Sequence, residues 1–193
     1  MSHGKICRSS FLALILMVCC LLLESTSYRA VFSATKNTAV GSSFLNYNNV
    51  EYGLEMKYPK AWTVREDIQG LAFAFISPLA GGQDEFRENI VVMVVDLAQQ
   101  PMNLEEFTDQ SIANTKESIP NLKIEKKEKI TLSKNPGYLM VSTFKPQEQQ
   151  VKQAQVWTVT HNKAYFLQYT AMHDQFERYY ADFETVIKSF IIN

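Results

Sequence analysis

Cysteine is scarce and unhelpfully placed: the chain of 193 residues has three, Cys7, Cys19 and Cys20, all within the first 27 positions. If that stretch is a removable leader, the remainder has neither a disulfide nor a thiol nucleophile. No G-x-S-x-G surrounds a serine, so Ser77, Ser111 and Ser142 lack the sharp turn that would expose a nucleophile, and none has a supporting His-Asp arrangement. Gly81-Gly82 is not followed by Lys-Ser or Lys-Thr, which excludes a phosphate-cradling loop. An excess of either charge is missing too, with 19 basic residues against 20 acidic ones. The densest basic run, residues 123–129 (KIEKKEK), is broken by Glu125 and Glu128 and reads as a solvated strand face, not a nucleic-acid stripe. These absences predict a non-catalytic protein with no nucleic-acid partner.

What is present argues for one folded domain. The length suits a single core, and 12 Phe with 9 Tyr provide enough apolar area to offset the entropy of ordering the backbone. The front end reads as a secretory signal over residues 1–27. Lys5 and Arg8 precede an uncharged run at residues 11–23, and those 13 residues fall short of the roughly 20 that a spanning helix requires. Ser25-Thr26-Ser27 offers small residues for cleavage, with Phe32-Ser33-Ala34 as a second choice. Cys19 is the candidate for lipid attachment, with Leu16 three residues before it, although Val18 is bulky where a small residue normally precedes a lipidated cysteine. The expectation is an exported protein, peripheral to the membrane. Residues 28–49, rich in Ser, Thr, Asn and Ala, are predicted to be a flexible tether, and residues 50–193 the domain.

Within the domain, strict alternation marks a strand at residues 54–58, stopped by Pro59. Strands follow at 62–64 and 70–76. The six-residue apolar run 90–95 reads as a strand covered on both faces and placed in the middle of the sheet. Asn103 with Glu106 three residues later predicts a capped helix running to about Ile119, where Pro120 stops it. A long alternating strand at 122–132 leads to a turn at Asn135-Pro136-Gly137, then to strands at 138–144, 150–160 and 164–172, the last two joined through His161-Asn162-Lys163. Asp174, with Glu177 behind it, is predicted to cap a last helix whose stripe runs Phe176, Tyr180, Phe183, Ile187 and Phe190. The class is α+β, a central antiparallel sheet flanked by helices.

These segments resemble the PsbP family, the extrinsic lumenal proteins of photosystem II and their bacterial relatives. The likeness covers residues 46–192. It is carried by Tyr52-Gly53 with Tyr58-Pro59-x-x-Trp62, Phe75-Ile76-Ser77-Pro78, Glu88-Asn89-Ile90-Val91-Val92, Leu104-Glu105-Glu106-Phe107, Asn135-Pro136-Gly137-Tyr138, Gln155-Val156-Trp157-Thr158-Val159, Lys163-Ala164-Tyr165 and Ser189-Phe190. The resemblance implies an α-β-α sandwich. It further implies a monomeric accessory or assembly factor docking on lumenal subunits of photosystem II at the oxygen-evolving complex, in the thylakoid lumen, with calcium as the ion the family is associated with. The alternative is a periplasmic or cell-surface binding protein on the same fold, unrelated to photosynthesis; a deep apolar pocket beside the sheet would favour it.

The candidate site residues lie in the glycine- and charge-rich loop at 79–89. Asp84, Glu85, Arg87 and Glu88 are predicted to form a mobile, solvated surface that docks to a partner. Calcium binding by its carboxylates is not expected, because Arg87 stands among them and no D-x-D-x-D-G spacing occurs. His161 and His173 are expected at the surface, and Trp62 and Trp157 between sheet and helix.

Overall fold

The computed structural model describes residues 43–193, except Asp67, Gln69, Ala80, 82–85 and Gln147. Seven strands form one antiparallel sheet in the spatial order β3 (Thr63–Arg65), β4 (Phe73–Ile76), β5 (Asn89–Asp96), β9 (Lys163–Met172), β8 (Val151–Thr160), β7 (Asn135–Phe144), β6 (Lys123–Leu132). A smaller sheet is built from β1 (Phe44–Asn49), β2 (Leu54–Pro59) and the two-residue β10 (Ile191–Ile192). Two helices, α1 (Leu104–Ser118) and α2 (Phe176–Ser189), pack on opposite faces of the large sheet, which gives the α+β sandwich expected from the sequence. Strands β6 to β9 run as a meander, so β5 can pair with β9 only if the chain first crosses to the far edge. Helix α1 makes that crossing.

The middle strand is β9; the apolar run at residues 90–95 lies one place away, in β5. On one face of the sheet, Phe73, Ile90, Val156, Leu167 and Tyr169 pack against Phe176, Phe183, Val186 and Phe190, with Leu54 and Met56 of β2 in the same cluster. On the other, Val91, Met93, Met140, Trp157 and Phe166 pack against Phe107 of α1. Each tryptophan lies between a sheet and a helix: Trp62 meets Tyr179 edge-on at 5.4 Å, and Trp157 donates its indole N–H to Thr108 Oγ1 at 2.8 Å.

Helix α1 starts as the sequence predicts. Asn103 Oδ1 accepts from the Glu106 N–H at 3.0 Å, while Glu106 Oε2 accepts from the Asn103 N–H at 2.9 Å. Two otherwise unpaired donors are thereby satisfied. Asn103→Ala is expected to cost about 1 kcal/mol in a urea titration, and Asn103→Asp about nothing. Helix α2 departs from expectation: its cap position is Gln175, with no side-chain bond, and Asp174 belongs to the preceding turn. Burial of Phe176 holds this helix end in place of a cap.

Two further corrections concern strands. The turn between β6 and β7 is Ser133-Lys134, both with positive φ (48° and 67°), and Asn135-Pro136-Gly137 already belongs to β7. A two-residue turn with both φ values positive matches the twist of a hairpin, and the Asn135 amide stabilises it by donating to Ser133 O at 2.8 Å. In β6 the register slips between Ile124 and Lys126. That bulge reverses the alternation, so Ile124 joins the α1-side core while Ile130 and Leu132 join the α2-side core. The third correction is at the start of the domain. Residues 44–49, assigned to the tether on composition, form β1, paired along its whole length with β2. Residues 1–42, which include the segment expected to be a signal, lie outside the described residues.

Candidate functional site

The charged loop singled out from sequence lies only partly within the described residues. Asp84 and Glu85 lie outside the described residues, as does Cys19. Arg87 is exposed and donates from Nη1 to Ser77 O at 3.0 Å. Glu88 is not a solvent-facing docking residue, because it is only 3% exposed. Its Oε2 accepts from the Ser77 hydroxyl at 3.0 Å, and its backbone O from the Ser77 N–H at 2.8 Å. A buried carboxylate is kept when hydrogen bonds replace its hydration. Ser77 and Glu88 therefore close the neck of the loop. His161 and His173 are exposed, and among the described residues no three His, Asp or Glu side chains come together to hold a metal ion.

The more suggestive surface is one that composition hides, the β1 end of the molecule. A sheet edge offers unpaired N–H and C=O groups to any passing strand, and proteins normally blunt it with charge, brevity or a bulge. The large sheet does so at both edges. Strand β6 carries Lys123, Glu125, Lys126, Lys127, Glu128 and Lys129 together with its bulge, and β3 is three residues long. In the small sheet, β10 has two residues. Strand β1 differs from all of these, with six residues, no charge and no proline. Leu45 is 41% exposed and Val50, just beyond the strand, 87%.

Tyr47 fixes this edge to the body. Its ring lies 4.6 Å from Phe73 and 5.4 Å from Phe75, and Tyr58 of β2 stacks on Phe75 at 4.8 Å. Its hydroxyl donates to Glu66 Oε1 and accepts from Asn49 Nδ2 at 3.1 Å. Beside it opens a notch of about 530 Å³ lined by Tyr47, Val64, Arg65 and Glu66. Burial, followed by the hydrogen bond to the Glu66 carboxylate, pushes the Tyr47 phenol up to about 12. The phenol thus stays a neutral donor throughout the physiological range and is unsuited to acid-base catalysis near neutrality.

Because the folded protein holds this proton more tightly than the unfolded chain, stability is fully present below pH 10 and falls as pH rises from about 10 to about 12. Ultraviolet titration of the phenolates should show several late-titrating groups, and Tyr47→Phe should remove one of them while leaving Tyr169, which burial also pushes up.

The arrangement can do one thing well. It can take an extended polypeptide as a further strand on β1 and seat one of its side chains in the notch, so that backbone bonds supply affinity and the notch selectivity. Sequence reasoning passed over β1 because Asn and Ser are common in linkers. The available signal was Leu45 and Tyr47 in alternation ahead of the Val50–Gly53 turn, opposite Tyr58 and Met56.

A family model for DcrB matches residues 79–189. Among solved structures, the cyanobacterial PsbP (CyanoP) of Synechocystis sp. PCC 6803 aligns with a TM-score of 0.55 at 15% identity, over 83% of this chain and 98% of that one. LpqN of Mycobacterium tuberculosis, involved in cell envelope biogenesis, aligns at 0.55 and 12%, over 80% and 92%. A Pseudomonas aeruginosa protein of unknown function aligns at 0.52 and 14%, over 73% and 91%. At these identities the likenesses establish the fold alone, and it is the fold of a PsbP-like protein. No curated protein matches the chain by sequence.

Proposed function

We propose that this chain, which belongs to the DcrB family, is an exported, non-catalytic accessory protein of the cell envelope that docks to its partner by accepting an extended segment along β1. The observation that carries this reading is the contrast among the sheet edges: β3, β6 and β10 are short or charged, and β1 is neither. Three things favour the envelope over a photosynthetic membrane. The family model that matches is DcrB. LpqN, with its envelope role, has the same TM-score of 0.55 as CyanoP. The leader has the length and charge of a bacterial export signal. Export also suits a chain whose cysteines are all confined to that leader.

The notch at Tyr47 is open and partly polar, unlike the deep apolar pocket a small-molecule carrier on this fold would use, and both faces of the large sheet are packed with aromatic side chains. Work done on the outside is the reading that fits. A second reading, docking on lumenal subunits of photosystem II, draws support from the near-complete coverage of CyanoP, 98% of that chain.

Leu45→Lys places a charge beside the open edge, where Leu45 is already 41% exposed and the fold has little to lose. In detergent-solubilised membranes of the source organism, the wild-type chain is expected to migrate in a larger complex and the variant alone, with equal melting temperatures. A complex that survives Leu45→Lys contradicts docking at β1. A complex that co-migrates with photosystem II in thylakoids would transfer the same surface to the second reading.

A further inference from the structure

The α1-facing side of the large sheet contains a polar seam that neither the docking surface nor core packing explains. Register places Ser142, Gln153, Thr170 and Asn89 in one row across β7, β8, β9 and β5, and Gln155 and Gln168 side by side in the next row. All six are buried, none more than 4% exposed. Burying neutral amides and hydroxyls in an otherwise apolar layer is costly unless each finds a partner. Most do. Gln155 Nε2 donates to Gln168 Oε1 at 2.7 Å, Gln168 Nε2 to Thr170 Oγ1 at 3.3 Å, and Gln153 Nε2 to the same hydroxyl at 3.3 Å. The chain of donors runs away from Gln155, and so its Oε1 is left as a buried acceptor with no protein partner.

Gln155 lines a small cavity between the sheet and α1, whose other polar walls are Ser111 and Thr115. The cavity measures about 10 Å³. That is close to the room one water needs, and a buried water is stable when two to four polar groups surround it. Thr115 donates its hydroxyl to Ser111 O at 2.7 Å, which leaves its oxygen lone pairs to accept. Apolar walls alone, here Met140, Trp157 and Phe166, would leave such a cavity dry.

We propose that this cavity is an internal hydration site: one ordered water donates to Gln155 Oε1 and to Thr115 Oγ1 and forms a joint between the sheet and α1. The joint fits the character of the helix, which buries Phe107, Thr108 and Ser111, two hydroxyls and one aromatic, where α2 buries Phe176, Phe183 and Val186. A helix with so polar an underside is seated through hydrogen bonds as much as through apolar area. The proposal is independent of docking at β1.

The test is to count long-lived internal waters by magnetic relaxation dispersion, alongside a high-resolution crystal structure. The wild-type chain is expected to hold one more such water than Gln155→Met, and to show density about 2.7–3.2 Å from Gln155 Oε1. Thr115→Val, which keeps the volume and removes one acceptor on the half-buried side of α1, is expected to lose or exchange the same water even if Gln155→Met fails to fold. Equal counts in wild type and Thr115→Val, or a direct bond from Ser111 or Thr115 to Gln155 Oε1 with no density between, would overturn it.

Discussion

Phe183→Ala is expected to cost about 3–5 kcal/mol, enough to leave much of the chain unfolded at moderate temperature. Phe183 is fully buried on α2, 5.6 Å from the Tyr169 ring and 6.4 Å from Tyr180. It sits where α2, the middle strand β9 and the small sheet meet, in the cluster that also holds Leu54 and Met56. No other element can move in to fill the space, because Tyr169 is anchored by its own hydroxyl, which donates to Phe176 O at 2.9 Å. The cavity should therefore persist, and its volume adds to the lost transfer energy. Phe183→Leu, which keeps most of the volume, should cost much less. Urea titration with an unchanged slope gives the difference directly. A loss below about 1 kcal/mol for the alanine variant would mean that α2 is not the main cover of this face.

The second large effect comes from adding atoms. An alanine at Gly137 would bring its Cβ to 2.5 Å from Trp157 O and 3.6 Å from Leu132 Cβ. The first neighbour is backbone, held in the ladder between β7 and β8, where Gly137 faces Thr158 and Tyr138 faces Trp157. A side chain could swing aside; a carbonyl in a ladder cannot without opening its neighbours. Gly137→Ala is expected to lose roughly 1–3 kcal/mol, and Gly137→Val more. The cause is space and not backbone conformation, since Gly137 is absent from the glycines with positive φ. Replacing Gly53, at φ 65°, would instead report conformational strain, with its added Cβ 3.5 Å from Asn193 O.

Where local chemistry decides the outcome, the fold was legible. The Asn103–Glu106 box starts α1 as read, the Phe176–Phe183 stripe makes α2, and His161-Asn162, with φ of 50° and 54°, makes the predicted hairpin. What could not be read depends on neighbours that are distant in sequence. The bulge in β6 exists because Ile124 and Ile130 must serve opposite cores, and alternation alone puts them on one face. Gly137 resembles a turn residue because glycine serves both turns and close backbone approaches, and only the position of Trp157 separates the two. The neighbours of Glu88 in sequence make it look solvated, whereas Ser77, eleven positions away, draws it inside. Strand β1 is hidden for a related reason: its asparagines suggest a linker, and β2 supplies the partner that makes them a strand. The uncharged edge of β1 thus arises from pairing, which composition does not reveal.

Photocrosslinking in living cells tests the docking of a partner along β1 most directly. A benzophenone side chain at Asn46, on the uncharged edge, is expected to give one discrete high-mass adduct with an envelope protein, lost in the Leu45→Lys background. The same probe at Lys127, on the charged edge of the large sheet, should give none. Equal adducts at both positions, or adducts only at Lys127, would contradict an account in which the uncharged β1 edge is the working surface of this protein.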